Sequence, residues 1–478
     1  MTAVLGGGIS GLSAAYYLLK STPQKVTIIE GSNGFGGWIR SIRNSENGFL
    51  FEKGPRTIRP KGPQGLNTLS LIEELNLSEK LIATPSSHPT ARNRLIYANK
   101  KLHALPSSLF SLFTICSPFS KPLILSAFKD LTTAKVAKND ESIYCFVERR
   151  FGKEIADYAI SSMICGICAG DAKEISVKFL MSEMFEWEQK HGSVLKGFFK
   201  KSFSNPDNKL LKEVEKSPLG KRALQEKWSV WTLKDGLQQL PDTLGKEVQK
   251  KGAKVKFNSL CTKLEFHGKN QVTCVIDDQK MTLNGMFDHV ICSLPASTVA
   301  QLVADQHPTL SKELMEIKNV TVAVVNIAYR GNHLKHNAFG FLAPPKEKLP
   351  ILGVIFDSCN LDYKEWTVLT VMMGGRWYEE YFGHSATEDT ILETALREVS
   401  KILDIKQQPD LTHVSILKDC IPQYTIGHHD RVKRVMSYIE DHQLPLSLIG
   451  ASYHGVGIND VIFSAKNVVD KLNKLLFC

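Results

Sequence analysis

The run Val4-Leu5-Gly6-Gly7-Gly8-Ile9-Ser10-Gly11-Leu12 constrains this chain more than any other stretch. A short apolar strand leads into it, and Leu12, Ala15, Tyr16 and Leu19 leave it at helical spacing. Gly6, Gly8 and Gly11 spell G-x-G-x-x-G. In a strand–turn–helix unit the first glycine permits a tight turn and the second lets a pyrophosphate reach the backbone. The third lets helix and strand pack closely. Gly7, Ile9 and Ser10 complete the turn, and the helix start offers unpaired N–H groups to phosphate. The motif alone is weak, so its context decides. Lys25-Val26-Thr27-Ile28-Ile29-Glu30 reads as a second strand ending in an acid, nineteen residues beyond Gly11. A carboxylate there accepts hydrogen bonds from an adenosine ribose. The pattern predicts a bound adenine dinucleotide, against the alternative of a turn that is only structural.

The rest of the composition narrows the class. At 478 residues the chain has room for two or three domains. Its 59 basic and 49 acidic residues leave a formal charge of +10, which favours acidic partners. No block of five like charges and no nucleic-acid signature appears, so nucleic acid is excluded as a partner. Ten cysteines are scattered without a disulfide spacing. Cys165 and Cys168 form one C-x-x-C with no second pair or histidine pair, and they read as buried thiols rather than a metal or redox site. The first strand starts at residue 2 or 3, leaving no room for a cleavable presequence, so entry into an organelle would need an internal signal. No apolar run reaches the roughly 18 residues of a membrane span. Leu105 to Ser120 comes nearest, but its prolines and serines make it surface-seeking rather than spanning.

Glycines punctuate the chain again at Gly34-Phe35-Gly36-Gly37-Trp38-Ile39-Arg40 and at Gly54-Pro55-Arg56-Thr57. These loops can lie close to a cofactor; Arg56 read alone is a surface ion-pair residue. From about 86 to 224 the pattern is helical, and Pro118 to Leu123 and Leu195 to Lys201 interleave apolar side chains with lysine. Such stretches suit anionic headgroups, or else a solvated helical face. Asp140 to Asp157 reads as a helix capped by Asp140, with Ser142-x-x-Cys145 dismissed as a capping box. Strands follow at Ala253 to Phe257, with Leu260 and Cys261 on the next turn, and at Phe287 to Pro295. Val320 to Tyr329, Leu349 to Phe356 and Val368 to Met373 read as strands of one antiparallel sheet. Thr390 to Leu403 is an amphipathic helix with Ile391, Leu392, Ala395, Leu396 and Val399 on one face. Leu446 to Tyr453 and Gly455 to Asp460 form a last strand–glycine–helix junction. No metal cluster, nucleophile elbow or P-loop is present in the sequence.

Gly6 to Leu12, Glu30, Gly36 to Arg40 and Gly54 to Arg56 together resemble the flavin amine oxidase superfamily. Asn93-Arg94, Phe119-Ser120-Lys121-Pro122, Cys420-Ile421-Pro422-Gln423-Tyr424 and Gly450 to Asp460 are similar to its porphyrinogen-oxidising branch, in the animal mitochondrial form. The likeness spans nearly the whole chain. It implies an α/β fold: a Rossmann-like FAD-binding domain, a mixed-sheet substrate domain and an inserted helical membrane-binding domain. The implied boundaries are 1–85, 225–295 and 420–478 for FAD, 86–224 for the helical domain and 296–419 for substrate.

The resemblance adds Trp38, Gly54, Pro55, Arg56, Thr57, Leu260, Ala451, Val456, Gly457 and Ile458 to the FAD contacts. The closing junction would aim a helix N-terminus at the flavin ring, where its positive end favours the reduced state. Arg94 falls where the family holds a substrate propionate, and a guanidinium suits a carboxylate because it pairs bidentately. Phe339 and Leu342 correspond to the substrate-sandwiching pair and Met372 to a position near the reacting ring. Without the resemblance, Arg94 would be a surface arginine beside Arg92, and the other three would be packing. The implied activity is a six-electron oxidation of protoporphyrinogen IX to protoporphyrin IX by molecular oxygen, with release of hydrogen peroxide, the penultimate step of haem synthesis. No residue stands out as acid or base.

The implied setting is the outer face of the inner mitochondrial membrane, as a peripheral homodimer that hands product to ferrochelatase. Two alternatives stay open. An amine or polyamine oxidase would share the cofactor motifs, but it needs an aromatic cage of which only Tyr453 is a candidate wall. A flavoprotein without turnover, binding porphyrin or scaffolding its neighbours, would share them too.

Overall fold

The computed structural model describes residues 1–44, 48–106, 110–202, 217–277, 282–361, 363 and 365–476. Residues 107–109 of the surface-seeking stretch and 203–216 of the expected helical domain lie outside the described residues. The chain divides into two compact units. One joins Met1–Ala83, Lys209–Lys318 and His429–Cys478; the other joins Thr84–Asn208 and Asn319–His428.

The first unit is built on a five-stranded parallel sheet, ordered Leu446–Leu448, His289–Cys292, Thr2–Leu5, Val26–Ile29, Lys254–Lys256. Thr2–Leu5 and Val26–Ile29 are buried at every position, as expected of strands covered on both faces. Side-chain alternation divides them between two cores. Val4 and Ile28 meet Leu12 and Ala15 of the helix Ile9–Ser21 and Leu244 and Val248 of Gln239–Lys250, along with Ile462 and Ala465 of Ile458–Leu476. Ala3, Leu5 and Ile29 face a three-stranded sheet and the helix Ala296–Val303. Strands from the two chain ends and from the middle return, the segments expected to form a discontinuous flavin domain, share this one sheet. Leu260 does not sit on a turn: it opens the strand Leu260–Phe266.

The second unit carries a seven-stranded sheet, ordered Leu411–Pro422, Asn319–Arg330, Trp366–Gly375, Ile351–Phe356, Gly340–Leu342, Leu95–Ala98, Lys101–Ala104. Its pairs are antiparallel except for Gly340–Leu342 with Leu95–Ala98, so the sheet is mixed. The helix Glu388–Leu403 covers one face, setting Ile391, Ala395 and Val399 on Ala323, Val325, Leu369 and Val371. Cys165 and Ala169 pack on the other face against Val322, Val324 and Leu352.

The division differs from the expected boundaries in several places: the helix Pro218–Gln225, expected to close the helical domain, belongs to the first unit, and residues 420–428, expected with FAD, belong to the second. Strands at 95–98 and 101–104, expected within a separate helical domain, extend the substrate sheet, while the helices Ala296–Val303 and Pro308–Met315 belong to the first unit. These differences come from strand and helix pairing across long sequence separations, which local pattern does not report.

Local expectations also change in the helical stretch. Ser142 caps the helix Ile143–Phe151 by accepting the Cys145 N–H at 3.1 Å. Asp140 is occupied elsewhere, accepting from Ser176 Oγ at 2.7 Å and from the Gly427 N–H at 3.0 Å. The helix stops at Gly152, whose φ of 105° ends it, and helical structure resumes at Lys153. Cys165 and Cys168 are buried thiols, as expected. Burial pushes both upward in pKa, Cys168 to about 12. Among the described residues no helix is long and apolar enough to cross a membrane.

Candidate cofactor and substrate sites

The glycine turn is built as its spacing predicts. A Cβ at Gly11 would lie 2.0 Å from the Gly6 carbonyl oxygen, so only glycine lets the helix start rest on the strand end. The turn is braced from beside it: the Gly36 N–H donates to Gly7 O at 3.0 Å. Glu30 closes the opposite side. Its Oε2 accepts the Gly7 N–H at 2.5 Å and its Oε1 accepts the Ser32 N–H at 2.7 Å. A carboxylate oxygen has a second lone pair, so these bonds leave acceptor capacity for a ribose. Leu260 lies close by, its Cδ1 3.5 Å from where a Gly31 Cβ would stand. Leu260 is exposed beside the acid that would hold the ribose.

The remaining residues expected to meet the cofactor gather in the same unit. Trp38 is exposed, and its carbonyl lies 2.2 Å from where a Gly54 Cβ would be, so the Gly36–Ile39 loop and the Gly54–Thr57 turn touch through backbone. Pro55 is exposed, and Arg56 and Thr57 are half-buried. Asn459 Nδ2 donates to Arg59 O at 2.8 Å, tying that turn to the start of Ile458–Leu476. Gly450 reaches the N-terminal turn, the site of its Cβ being 3.8 Å from Ser10 Oγ and 3.3 Å from Ser293 O. Ala451, Val456, Gly457 and Ile458 follow on this segment.

Ser10 tests whether a cofactor fits. Its hydroxyl is buried and has no hydrogen-bond partner among the described residues. A buried hydroxyl without a partner is costly. Its place in a turn of helix-start N–H groups suits a phosphate oxygen, so the residues present fit a dinucleotide.

Three contributors escaped the sequence reading. Ser293 Oγ donates to Leu5 O at 2.7 Å and lies 2.9 Å from the position of a Gly11 Cβ, packing the turn from below. Only its place at a strand end hinted at this. Asp460 accepts the Gly457 N–H at 3.1 Å; the spacing Gly457-x-x-Asp460 was the available signal. His454 stands in the closing turn. Partial desolvation, with His429 nearby, lowers its imidazole below the usual value although the residue keeps an exposed edge.

The four substrate candidates lie in the second unit, and two of them, Leu342 and Met372, are strand residues of one sheet. Leu342 pairs with Gly353, and Gly353 pairs with Met372, so both side chains belong to one row across three strands. Met372 in turn pairs with Val324. Gly166 packs under this row, the site of its Cβ lying 2.9 Å from Leu342 Cδ2. Phe339 stands at the entry to Gly340–Leu342, its N–H donating to Asn93 O at 3.1 Å. That bond places exposed Arg94 beside Phe339 in space. Exposed Arg94 beside half-buried Phe339 can pair with an acidic group next to apolar surface, and half-buried Leu342 and Met372 lie in the adjoining sheet. Among the described residues no cluster of potential metal ligands occurs.

Known proteins resemble this chain over most of its length. The protein-family profile for flavin-containing amine oxidoreductases matches residues 9–473. A protoporphyrinogen oxidase from Macaca fascicularis is 37% identical over 470 residues, covering 97% of this chain and 96% of that protein. The Homo sapiens protoporphyrinogen oxidase is 36% identical over 470 residues, with the same coverage of 97% and 96%. Among solved structures, a candidate protoporphyrinogen oxidase from Exiguobacterium sp. 255-15 superposes with a TM-score of 0.79 at 22% identity, covering 98% of each chain. The chain belongs to the flavin-containing amine oxidoreductase family, and its cofactor is FAD.

Proposed function

We propose that this protein is an oxygen-dependent protoporphyrinogen IX oxidase. The observation that carries this reading is the likeness, from end to end, to relatives named for that activity. In the overall reaction one protoporphyrinogen IX gives six electrons and six hydrogens to three molecules of oxygen, leaving protoporphyrin IX and three of hydrogen peroxide. Bound FAD supplies the two-electron acceptor that passes these electrons on. The chain's own work is to hold the macrocycle. Arg94 takes a propionate carboxylate, Phe339 and Leu342 present apolar surface to the ring system, and Met372 stands near the reacting carbon.

Arg94→Ala tests the clamp. Losing a charge-assisted hydrogen bond costs about 1.5–3 kcal/mol, so KM for protoporphyrinogen should rise at least about tenfold while FAD content stays at one per chain. Unchanged kinetics would remove Arg94 from the site.

The setting is part of the same proposal: peripheral attachment to the inner mitochondrial membrane on its intermembrane-space side, as a homodimer that passes product to ferrochelatase. The resemblance supports the organelle, the dimer and the hand-over; the surface supports attachment. Phe110 and Phe113 are 78% and 64% exposed, and Ile115, Leu125, Phe128, Phe198 and Phe199 are exposed too. Lys121, Lys196 and Lys200 are exposed on the same segments. Phe119, expected among the lipid-facing side chains, is instead buried edge-to-face against Tyr158.

Burying a phenylalanine side chain contributes about 1.5–3 kcal/mol. The double variant Phe110→Ser/Phe113→Ser should therefore weaken co-sedimentation with anionic phospholipid vesicles by more than about tenfold. Wild-type-like binding of that variant would assign attachment to another face.

A further inference from the structure

The helix Ile458–Leu476 opens on a turn that the proposed function assigns to the flavin, and the structure sets a carboxylate into that turn. Asp460 Oδ2 accepts the Gly457 N–H at 3.1 Å, while Gly457 O accepts the Asp460 N–H at 3.0 Å and the Val461 N–H at 3.1 Å. The carboxylate occupies the space that side chains at 455 and 457 would fill. Oδ2 would lie 2.7 Å from a Cβ at Gly455 and 2.9 Å from one at Gly457. The Gly455 φ of +140° reinforces the need for glycine there. The Gly457 N–H, expected to face the cofactor, is therefore committed to Asp460. Helical geometry leaves the N–H groups of Ile458 and Asn459 as the outward donors.

The charge balance of this helix end follows. An unmodified helix N-terminus carries roughly half a positive charge, and a carboxylate in the same turn reverses the sign of the local field. No ion pair to Asp460 occurs among the described residues. Burial raises the Asp460 pKa, the cost of holding a charge in a partly desolvated place.

We propose that Asp460 is a positioning residue that orders the Gly455–Ile458 turn and lowers the reduction potential of the bound flavin. A negative charge at this end opposes charge build-up on the reduced ring and so favours passing electrons onward. The proposal rests on the reading that Val456–Ile458 face the flavin. It departs from the simpler expectation that the helix end stabilises the reduced state.

The test is an anaerobic reductive titration of the full-length, FAD-loaded protein against a reference dye, following flavin absorbance. Asp460→Asn keeps an acceptor oxygen for the Gly457 N–H and removes the charge; Asp460→Ser does the same with a shorter side chain. Each should shift the oxidised-to-reduced equilibrium towards reduced flavin by about tenfold, equivalent to about 30 mV for a two-electron couple. FAD stoichiometry and Tm should stay those of the wild type. Should Asp460→Asn lose its flavin, Asp460→Ser is read by the same criterion. Bound flavin with an unchanged potential in either variant overturns the proposal and leaves Asp460 a helix cap. A wild-type protein that binds no flavin overturns the site reading and this proposal with it.

Discussion

Gly11→Ala is expected to yield protein that retains less than about a tenth of its FAD. The new methyl group would stand 2.0 Å from the Gly6 carbonyl oxygen and 2.9 Å from Ser293 Oγ. Ser293 has a side chain that can rotate; the Gly6 carbonyl is backbone in the turn itself. Relief requires the helix Ile9–Ser21 to move off the strand Thr2–Leu5, at an overpacking cost of about 1–3 kcal/mol. That movement also displaces the N–H groups meant for phosphate, and each 1.4 kcal/mol lost is about tenfold in affinity. Gly8→Ala is the informative companion. Its Cβ would meet only Gly37 Cα, at 3.9 Å, and its φ of −72° suits any residue. The apoprotein should therefore melt like the wild type while FAD binding falls, because the second glycine is there for the ligand's approach. Absorbance at the flavin band after purification, with Tm of both apoproteins, separates the two effects. Full flavin content in Gly11→Ala would contradict the packing described for the turn.

Arg150→Ala is expected to destabilise the second unit by about 3–5 kcal/mol, the cost typical of breaking a buried charge pair. Arg150 is fully buried, as are Asp130 and Glu188. Its Nε donates to Asp130 Oδ1 at 2.6 Å, and its Nη atoms donate to the carbonyls of Asp130, Thr133 and Gly192 at 2.7, 2.9 and 3.0 Å. Asp130 in turn accepts from Ser193 Oγ at 2.6 Å and from the Leu195 N–H at 2.9 Å. This network joins the helices Ile124–Thr132 and Val194–Ser202, which carry exposed Phe128 and Phe198. Its loss should therefore weaken vesicle binding along with stability.

The sign of the pH effect is determinate. Burial alone would raise the Asp130 carboxyl, but bonds from Leu195, Ser193 and Arg150 outweigh it and hold it below its ordinary value. Arg149 does the same for Glu188 against burial. Depressed carboxylates contribute fully above their unfolded values, about 4, and lose that contribution as pH falls through the folded ones. The stability gap between wild type and Arg150→Ala should be full at pH 7 and narrow below about pH 4. Denaturant melts at both pH values measure it; a constant gap would show that the arginine acts by packing alone.

These features differ in how far they could be read in advance. The N-terminal turn was legible because its requirement is local: Gly6, Gly8, Gly11 and Glu30 meet a backbone demand within thirty residues. The closing strand and helix were legible in the same way, but not the carboxylate that Asp460 turns back onto Gly457. Ser293 was recognisable only as the end of a strand, because its contact with the glycine turn depends on pairing between residues nearly three hundred apart. The Arg150 network was out of reach, since an arginine in a helical pattern reads as solvated until the helices around it are placed. Phe119 and Phe110 occupy the same apolar, serine-rich stretch and look alike in it. Tyr158 packs on Phe119 while Phe110 is exposed, a difference that no local pattern encodes. The substrate residues were reached through resemblance, and the sheet register then gave Leu342 and Met372 a shared row.

The central claim is that a flavin held in the first unit serves porphyrinogen oxidation. Its most direct test is to supply the purified, FAD-loaded protein with protoporphyrinogen IX in oxygenated buffer, following red porphyrin fluorescence and oxygen uptake together. The account predicts fluorescent protoporphyrin IX with three molecules of oxygen consumed for each one formed. Fully flavinated protein that leaves protoporphyrinogen untouched, whether or not it oxidises spermine instead, would contradict it.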